Sequence, residues 1–403
     1  KILLKHMEII MNNEVVIVAF ARTPIGSFGG SLSTISAPKL GAVAIKGAID
    51  KIKLPLDAID QVIMGNVLSA GLGQAPARQA SIYAGLPKTI EALTINKMCG
   101  SGLKALMLAQ ESISCGNADI IISGGMENMS LAPHLLLNSR IGNKMGDSNL
   151  IDSMIRDGLW DVYNDKHMGS CGEICAEKYN FSREDQDKYA VESYSKSQHA
   201  INEGLFNDEI VSVEVINKKD NIVINKDEEP FRVNFDKIKK LRTVFKKDGT
   251  ITAANASTLN DGAAVCILMS KSKAEKLKIK PIAKIVNHLS VAQSPEWFTT
   301  APIKAIRDVI NKSDVKISDI DLFEINEAFS VVPMAAIHDL NLDPKKVNVN
   351  GGAVSLGHPI GASGARIMCT LLSSMQNQNA QFGLSSLCIG GGEASAMIVE
   401  NCN

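Results

Sequence analysis

The sequence lacks the features that mark membrane and nucleic-acid-binding proteins. No apolar run approaches the roughly 20 residues that a helix needs to cross a bilayer. The 42 basic residues nearly balance the 43 acidic ones, and a formal net charge of −1 creates no overall field that attracts nucleic acid or an anionic membrane. Any anionic ligand must therefore be held by local groups.

The first residues also lack a targeting signal. Residues 1–10 mix basic and apolar side chains, but they are too few for a secretory signal. They have neither a cleavage site of small residues nor the arginine and serine of a transit peptide. We interpret residues 1–11 as an upstream extension, with Met11 as an alternative start, and we expect a cytoplasmic protein.

The cysteines do not fit a disulfide framework. Eight are spread widely through 403 residues, whereas disulfide scaffolds are short and dense in cysteine. In a reducing compartment, an individual cysteine can instead act as a nucleophile.

Short apolar runs alternate with helical patterns in the first and last thirds of the chain. Strands are predicted over residues 15–20, 61–67, 92–95, 119–123, 281–291, 321–325, 347–350, 382–389 and 394–399. Helices are predicted over residues 37–52, 75–86, 99–114, 301–310 and 326–340, and after Gly361. This alternation predicts an α/β layer architecture.

Two local similarities indicate an internal duplication. IISGGMEN (121–128) resembles CIGGGEAS (388–395), and CGSGLKAL (99–106) resembles IGASGARI (360–367). Repeats this far apart indicate a duplicated domain rather than a solenoid.

The duplication and a change in composition divide the chain into regions. We predict an N-terminal half over residues 12–129 and 248–279, a loop domain over 130–247 and a C-terminal half over 280–403. The loop domain carries much of the charge, and we expect it to lie over the sheet ends, where ligand contacts concentrate.

Cys99 and His358 are candidates for a reactive pair. Cys99 lies between a predicted strand and a helix that opens with Gly-Ser-Gly, so backbone N–H groups and the helix dipole would favour a thiolate. His358 lies in a glycine-rich loop, where a neutral imidazole could act as the base for a thiol. A packed cysteine and a loop histidine that bonds a carbonyl are the structural alternatives.

Other residues could complete a site. Cys388 precedes Gly390 and two further glycines, whose N–H groups could form an oxyanion hole. Asn326 follows a predicted strand and is explained equally well as a helix N-cap. Ser257 and the lysine-rich run over 218–247 could contact a phosphate or pantetheine group, although surface lysines are usually only solvated.

His167, Cys171 and Cys175 offer a metal site as an alternative. Their i, i+4, i+8 spacing would place them on one helix face, and zinc accepts such ligands. No fourth ligand is evident nearby, and the two cysteines lack the spacing of most structural zinc sites. We therefore predict no metal and keep a zinc protein as an alternative.

Seven ordered blocks resemble the thiolase family along nearly the whole chain from Met11 onward. The blocks are ARTPIG (21–26), NKMCGSGLKA (96–105), SGGMENMS (123–130), NASTLNDGAA (255–264), NEAF (326–329), GGAVSLGHPIGASGAR (351–366) and CIGGGEA (388–394). The resemblance implies two similar halves, each a mixed five-stranded sheet with helices, in a layered α/β/α/β/α arrangement. It also implies a loop domain that covers coenzyme A, and a homodimer or homotetramer with residues 130–146 as any tetramer-forming loop.

The resemblance also implies roles for the site residues. Cys99 would be the acylated nucleophile, His358 would activate it, and Cys388 would take a proton from the methyl group of the second acetyl thioester. Asn326 would hold a water that, with His358, stabilises the enolate oxygen. The N–H groups of Cys99 and Gly390 would stabilise the oxyanion.

The implied reaction is a reversible Claisen condensation of two acetyl-CoA molecules to acetoacetyl-CoA and coenzyme A. It would proceed through an acetyl group on Cys99, with ping-pong kinetics. Coenzyme A thioesters would be substrates, and no cofactor is expected.

Some residues bear on substrate choice. His167-Met168-Gly169 resembles the short-chain branch of the family, where such a pair borders pantetheine and the acyl pocket. Phe298 stands where many bacterial short-chain enzymes have methionine, and its ring could admit a 2-methyl branch. Arg232 is displaced by one position from the arginine that the family usually places next to a residue equivalent to Pro230.

Three other functions remain open. A degradative thiolase of longer 3-ketoacyl-CoA substrates would use the same chemistry with a longer acyl tunnel. A carrier-protein-dependent condensing enzyme commonly pairs its cysteine with two histidines, whereas this chain has Cys388 and the NEAF block. A catalytically silent thiolase-like scaffold would bind ligand without acylation of Cys99.

Overall fold

The computed structural model describes residues 14–142, 144–216 and 220–402, so the predicted extension over residues 1–11 lies outside the described residues. The strands are β1 (Val15–Arg22), β2 (Gly26–Ser27), β3 (Gln61–Gly65), β4 (Glu91–Ile95), β5 (Ile120–Asn128), β6 (His134–Leu136), β7 (Leu150–Asp152), β8 (Trp160–Asp161), β9 (Lys166–His167), β10 (Val213–Ile216), β11 (Asn221–Ile224), β12 (Asn260–Ser270), β13 (Ala283–Ala292), β14 (Leu322–Ile325), β15 (Phe382–Ile389) and β16 (Glu393–Asn401). The helices are α1 (Ala37–Ile52), α2 (Pro76–Tyr83), α3 (Ser101–Ser114), α4 (Met168–Tyr179), α5 (Arg183–Asn202), α6 (Phe235–Ile238), α7 (Lys271–Leu277), α8 (Ala301–Asn311), α9 (Val331–Leu340), α10 (Ala353–Leu356) and α11 (Ser363–Gln378).

Most strands join one sheet, whose order is β14-β15-β16-β13-β1-β12-β5-β3-β4, with β2 beside β12. The sheet consists of an N-terminal half (β1, β3, β4, β5 and β12) and a C-terminal half (β13 to β16). The halves meet where Val16 and Ile17 of β1 pair with Lys284 and Ala283 of β13. Four strands of each half share one order and one pattern of directions, because β14, β15, β16 and β13 repeat the arrangement of β3, β5, β12 and β1. The predicted duplication is therefore visible in the topology.

The C-terminal half differs from the predicted five-stranded sheet at its edge. β4 pairs with β3, but the equivalent position beside β14 holds only a bridge between Val347 and Phe323. The side chain of Asn348 takes the place of further strand pairing, because its Oδ1 accepts from the N–H of Ile325 and its Nδ2 donates to the carbonyl of Ile325, both at 2.8 Å. A left-handed backbone at Asn348 (φ 46°) then ends the extended run that was predicted over residues 347–350.

The helices lie in layers, as the fold prediction requires. α3 and α11 pack together between the two halves. Leu103 of α3 and Ile367 of α11 belong to one core with Ile121 of β5 and Leu387 of β15. Their backbones touch, because a Cβ on Gly364 would lie 2.3 Å from the N of Leu103. α1 and α2 cover the outer face of the N-terminal half, and α8 and α9 cover that of the C-terminal half.

Residues 130–247, which we call the cover segment, contain more regular structure than the predicted loop domain. α4 has 12 residues and α5 has 20, and three short hairpins accompany them. α5 begins at a capping box between Ser182 and Asp185, and its many charged residues conceal the apolar spacing that predicts a helix.

Buried charges tie the cover segment to β1. The guanidinium of Arg22 contacts Glu209 at 2.6 Å and Asp227 at 2.7 Å, and all three side chains are fully buried. Because an unpaired buried charge is costly, each member of the triad fixes the place of the others. In the described part of the chain, no helix has the length and apolar character needed to cross a bilayer.

Candidate active site

Cys99 lies on a sharp turn between β4 and α3. Met98, which precedes it, has a left-handed backbone (φ 48°). The Oγ of Ser101 holds the turn, because it accepts from the N–H of Lys97 at 2.8 Å and donates to the carbonyl of Met98 at 2.6 Å. α3 begins at Ser101, two residues later than predicted, so Cys99 precedes the helix and its side chain reaches a cavity.

The surroundings of Cys99 favour the protonated thiol over the thiolate. Burial raises its pKa to about 11, and the negative charge of Glu127 adds to this increase. The N–H of Gly390 donates to the Cys99 sulfur and lowers the pKa, as does the N–H of Cys99 itself. The predicted N–H donors are thus present, but burial outweighs them, and a base is needed to form the thiolate.

His358 lines the same cavity as Cys99, and one of its ring nitrogens is unprotonated. Its Nδ1 lies 2.6 Å from the Oγ of Ser363, which donates to the carbonyl of Pro359 at 2.9 Å. Since the hydroxyl proton of Ser363 is engaged, Nδ1 carries the imidazole proton and donates to Ser363. Nε2, which has no protein partner among the described residues, is then the free lone pair.

The environment keeps the His358 imidazole neutral. Burial, helped by the positive charge of Arg366, lowers its pKa to about 3. The backbone of His358 is fixed as well, because its N–H donates to the Oδ1 of Asn260 at 2.9 Å. A neutral, oriented imidazole is the form that can accept a proton from a thiol.

Cys388 lies close to Cys99, and the glycine turn that follows it lines the cavity at Gly390. Cys388 is the penultimate residue of β15 and is fully buried. Burial raises the pKa of its thiol well above the ordinary value, and the nearby Cys99 adds to the increase. Gly391 and Gly392 have left-handed backbones (φ 93° and 86°), which allow the tight turn from β15 to β16 and leave the N–H of Gly390 directed at Cys99.

Asn326 does not begin a helix, so its predicted alternative role as an N-cap is wrong. Its N–H donates to the carbonyl of Ser386 at 3.0 Å, which continues the pairing of β14, and α9 begins only at Val331. The side-chain Oδ1 and Nδ2 of Asn326 are buried and have no hydrogen-bond partner within the described residues. Because buried amides are normally paired, an ordered water or a ligand oxygen is expected there.

One cavity of about 350 Å³ brings most of the predicted site residues together. Its lining includes Cys99, His358, Gly390, His167, Met168, Ser257 and Phe298. Cys388 and Asn326 are buried and do not line it. Arg232 lines a neighbouring cavity of about 590 Å³, which shares Ser257 with the first.

His167 belongs to the wall of the cavity rather than to a cluster of metal ligands. Its Nδ1 accepts from the N–H of Gly169 at 3.0 Å, and its ring stacks on Phe245 with centroids 4.7 Å apart. In residues 14–142, 144–216 and 220–402, no three His, Cys, Asp or Glu side chains converge as a metal site would require. The zinc alternative built on His167, Cys171 and Cys175 is therefore not supported by the geometry.

Family comparisons match both halves of this architecture. The thiolase N-terminal domain matches residues 15–272, and the thiolase C-terminal domain matches residues 279–401. The chain belongs to the thiolase family.

Relatives of this thiolase are similar over almost their whole length. An acetyl-CoA acetyltransferase from Schizosaccharomyces pombe is 48% identical, with 97% of this chain and 99% of the relative covered. One from Cupriavidus necator is 49% identical over 96% of this chain and 99% of the relative. A mitochondrial acetyl-CoA acetyltransferase from Rattus norvegicus is 50% identical, with 96% and 91% covered.

Solved structures give the same result. The crystal structure of a Bacillus anthracis acetyl-CoA acetyltransferase is similar to this thiolase with a TM-score of 0.95 and 36% identity, over 97% of this chain and 99% of that chain. A thiolase from Ascaris suum, solved in complex with coenzyme A, has a TM-score of 0.91 and 44% identity, over 96% and 100%. The predicted fold class is confirmed.

Several residues of the site were not identified from the sequence of this thiolase. Phe245 and Phe329 line the cavity, and Phe329 meets the ring of Phe298 at 6.4 Å. Phe329 lies in the NEAF block, which offered a signal, whereas Phe245 lies in the lysine-rich run and offered none. Glu127 is buried beside Cys99 although it lies in an otherwise uncharged strand, and that contrast was the available signal.

Proposed function

We propose that this thiolase is a short-chain acetyl-CoA C-acetyltransferase, which condenses two acetyl-CoA molecules to acetoacetyl-CoA and coenzyme A and also catalyses the reverse reaction. The observation that carries the proposal is that Cys99, His358 and Gly390 line one cavity, where the N–H of Gly390 donates to the Cys99 sulfur and the Nε2 of His358 has no partner among the described residues. The names of the relatives agree with this activity.

In the first step, the acetyl group moves to Cys99. The Nε2 of His358 takes the thiol proton, and the sulfur attacks the thioester carbonyl. The N–H groups of Cys99 and Gly390 donate to the oxyanion, where one such donor is typically worth about 2.7–4 kcal/mol of the barrier. Coenzyme A leaves as a thiolate and receives a proton from Cys388, which becomes a thiolate itself.

In the second step, the carbon–carbon bond forms. The thiolate of Cys388 takes a proton from the methyl group of the second acetyl-CoA, and its raised pKa makes it a strong base for this task. A water on the unpaired amide of Asn326, together with His358, stabilises the enolate oxygen. The enolate carbon attacks the acetyl group, and Cys99 departs with the proton that His358 carried. The proton balance closes without a cofactor or metal.

The shape of the cavity supports a short acyl chain. Met168 and Phe298 are buried, and the rings of Phe298 and Phe329 lie edge to face. These side chains limit the space beside Cys99. Coenzyme A would extend past Ser257 into the neighbouring cavity at Arg232, and the complex of the Ascaris suum relative with coenzyme A supports this ligand.

We also propose a homodimer or homotetramer in the cytoplasm. Residues 130–146 expose apolar side chains, including Ile141 at 83% and Met145 at 99%, which favours a contact with another subunit.

The cytoplasmic location is supported by the eight cysteines, which are all free, as a reducing compartment requires. Some relatives are named as mitochondrial, so fractionation of the native cell is the test of location.

The substrate range can be tested with acetoacetyl-CoA and a longer straight-chain 3-ketoacyl-CoA, each with coenzyme A. The expected result is a much higher kcat/KM for acetoacetyl-CoA. A preference for the longer substrate would instead identify a degradative thiolase. Ligand binding without turnover of either substrate would identify a silent scaffold.

A further inference from the structure

Glu127 is a fully buried carboxylate that the proposed reaction does not use. It lies near the end of β5, and none of its surface is exposed. Its Oε1 accepts from the Nδ2 of Asn66 at 2.8 Å and from the N–H of Leu68 at 3.2 Å. Its Oε2 accepts from the N–H groups of Val67 at 3.1 Å and Gly361 at 2.9 Å. All four are N–H donors, which an ionised carboxylate satisfies and a protonated one does not.

These donors belong to the two segments that frame the reactive pair. Val67 and Leu68 form an apolar cluster with Ile360, and Cys99 packs against that cluster. Gly361 follows His358 by three residues, and a Cβ at Gly361 would lie 2.7 Å from the Oε2 of Glu127. The carboxylate therefore joins the loop after β3, in the N-terminal half, to the loop that carries His358, in the C-terminal half.

The charge of Glu127 also acts on the nucleophile. It raises the pKa of the Cys99 thiol, beyond the larger effect of burial. The pKa of Glu127 itself is raised to about 7, first by burial, while the N–H groups of Leu68, Val67 and Gly361 lower it and the charge of Asp261 on β12 raises it. Above this pH the carboxylate holds a negative charge beside the thiol.

We propose that Glu127 is a positioning residue for the Cys99–His358 pair, which it serves by joining the two loops and by placing a negative charge beside the thiol. The part of this proposal that concerns turnover rests on the proposed function. The part that concerns the thiol does not, because it can be measured without an acyl-CoA.

The decisive variant is Glu127→Gln, which keeps the size of the side chain and removes its charge. Whichever way the amide is oriented, its NH₂ group faces two N–H donors, so the two loops lose their common anchor. The expected kcat for acetoacetyl-CoA thiolysis falls about 10–100-fold, because misplacement of catalytic groups costs rates of this order. KM is expected to stay unchanged, since Glu127 does not line the cavity.

A second readout separates positioning from a general structural role. Alkylation of Cys99 by iodoacetamide, followed at its own peptide by mass spectrometry, depends on the thiolate. In Glu127→Gln its pH midpoint is expected to fall by about one unit, because a like charge has been removed from beside the thiol. A merely structural role would lower the thermal unfolding temperature and leave this midpoint where it is in the wild type.

Glu127→Asp is the matched control, because it keeps the charge but is too short to reach all four donors. We expect a loss of about 10-fold in kcat with an unchanged alkylation midpoint. If Glu127→Gln does not fold, this variant decides alone, and a wild-type kcat in Glu127→Asp would overturn the proposal. An unchanged midpoint in folded Glu127→Gln would also overturn it. A wild-type protein without thiolase turnover would refute the proposed function and leave the alkylation test intact.

Discussion

The two halves of the sheet share an arrangement but deliver different groups to the cavity. In the N-terminal half, five residues (96–100) connect β4 to α3, and this short connection carries Cys99 on a strained turn. In the C-terminal half, the bridge at Val347 replaces the edge strand, and residues 348–362 connect it to α11. The longer connection carries His358. Cys99 and His358, the proposed nucleophile and base, thus lie in equivalent connections of the duplicated frame.

The strands next to the central helices differ in a similar way. β5 runs through Gly124 and Gly125 to Asn128, although the sequence pattern ended this strand at residue 123. A Cβ on Gly125 would lie 2.0 Å from the carbonyl of Gly361, so these glycines allow close packing rather than a turn. The similar glycines after Cys388 do form a turn. The glycines of β5 therefore lie within a continuous strand, whereas those after β15 form a turn that leaves the N–H of Gly390 free to donate to Cys99.

The largest effect is expected from removal of the nucleophile in the N-terminal half. Cys99→Ala should reduce acetoacetyl-CoA thiolysis by a factor on the order of 10⁴ or more, because covalent catalysis is lost. Initial rates followed by the loss of acetoacetyl-CoA absorbance measure this. Cys115→Ala, which alters an exposed cysteine away from the cavity, is the control and should match the wild type. Substantial turnover by Cys99→Ala would break the assignment of the nucleophile.

Removal of the base in the C-terminal half is expected to have the next largest effect. His358→Asn should lower the rate of acetyl transfer to Cys99 about 10²–10⁴-fold, the usual contribution of a positioned acid–base group.

The pKa of His358 near 3 means that its charged form appears only well below neutral pH. Histidine NMR signals of His358 should therefore not titrate between about pH 5 and 8. A midpoint near the ordinary value would contradict the neutral base described above.

The aromatic rings of Phe298 and Phe329, which line the cavity, should affect substrate choice more than the rate of the reaction. Phe298→Ala removes a buried ring that contacts Phe329 and enlarges the cavity beside Cys99. The ratio of kcat/KM for a 2-methyl or longer 3-ketoacyl-CoA to that for acetoacetyl-CoA should rise about 10-fold or more, since a single methylene group in an apolar pocket is worth about this much. An unchanged ratio would show that another part of the cavity sets the acyl length.

The smallest effect is expected in the neighbouring cavity that Arg232 lines. Arg232 is 56% exposed and lies 3.6 Å from Glu228, so a charge contact to coenzyme A there is weakened by solvent. Arg232→Ala should raise the KM for coenzyme A only a few-fold and leave kcat unchanged. Lys240→Ala, an exposed cation that does not line this cavity, is the matched control. A large loss of kcat in Arg232→Ala would mean that the neighbouring cavity contributes to the catalytic steps and not only to coenzyme A binding.

Local patterns predicted much of the frame, because they record burial along one element. The helix over residues 37–52 and the strand over 382–389 were predicted with the observed bounds. Cys99, His358 and Gly390 were candidates because they lie in or beside glycine-rich segments, and the structure brings them to one cavity.

The features that local patterns did not predict depend on contacts between segments that are distant in the sequence. Asn348 replaces a strand edge through bonds to Ile325, and Glu127 joins loops from both halves. Neither contact has a periodic signature. α5 was missed because the residues on its buried face are mostly small or polar, such as Ala190, Ser193 and Ser197, so its helical spacing is hard to recognise among the charged residues.

In the proposed reaction, acetyl transfer and carbon–carbon bond formation are separable steps, because Cys99 carries the acetyl group and Cys388 takes the proton from the methyl group. Cys388→Ala can be treated with acetyl-CoA and examined as intact protein by mass spectrometry. We expect this variant to accumulate an acetyl group on Cys99 while it forms acetoacetyl-CoA about 10²–10⁴-fold more slowly than the wild type. Condensation at the wild-type rate, or a stable acetyl group on Cys388 in the Cys99→Ala variant, would contradict this division of roles.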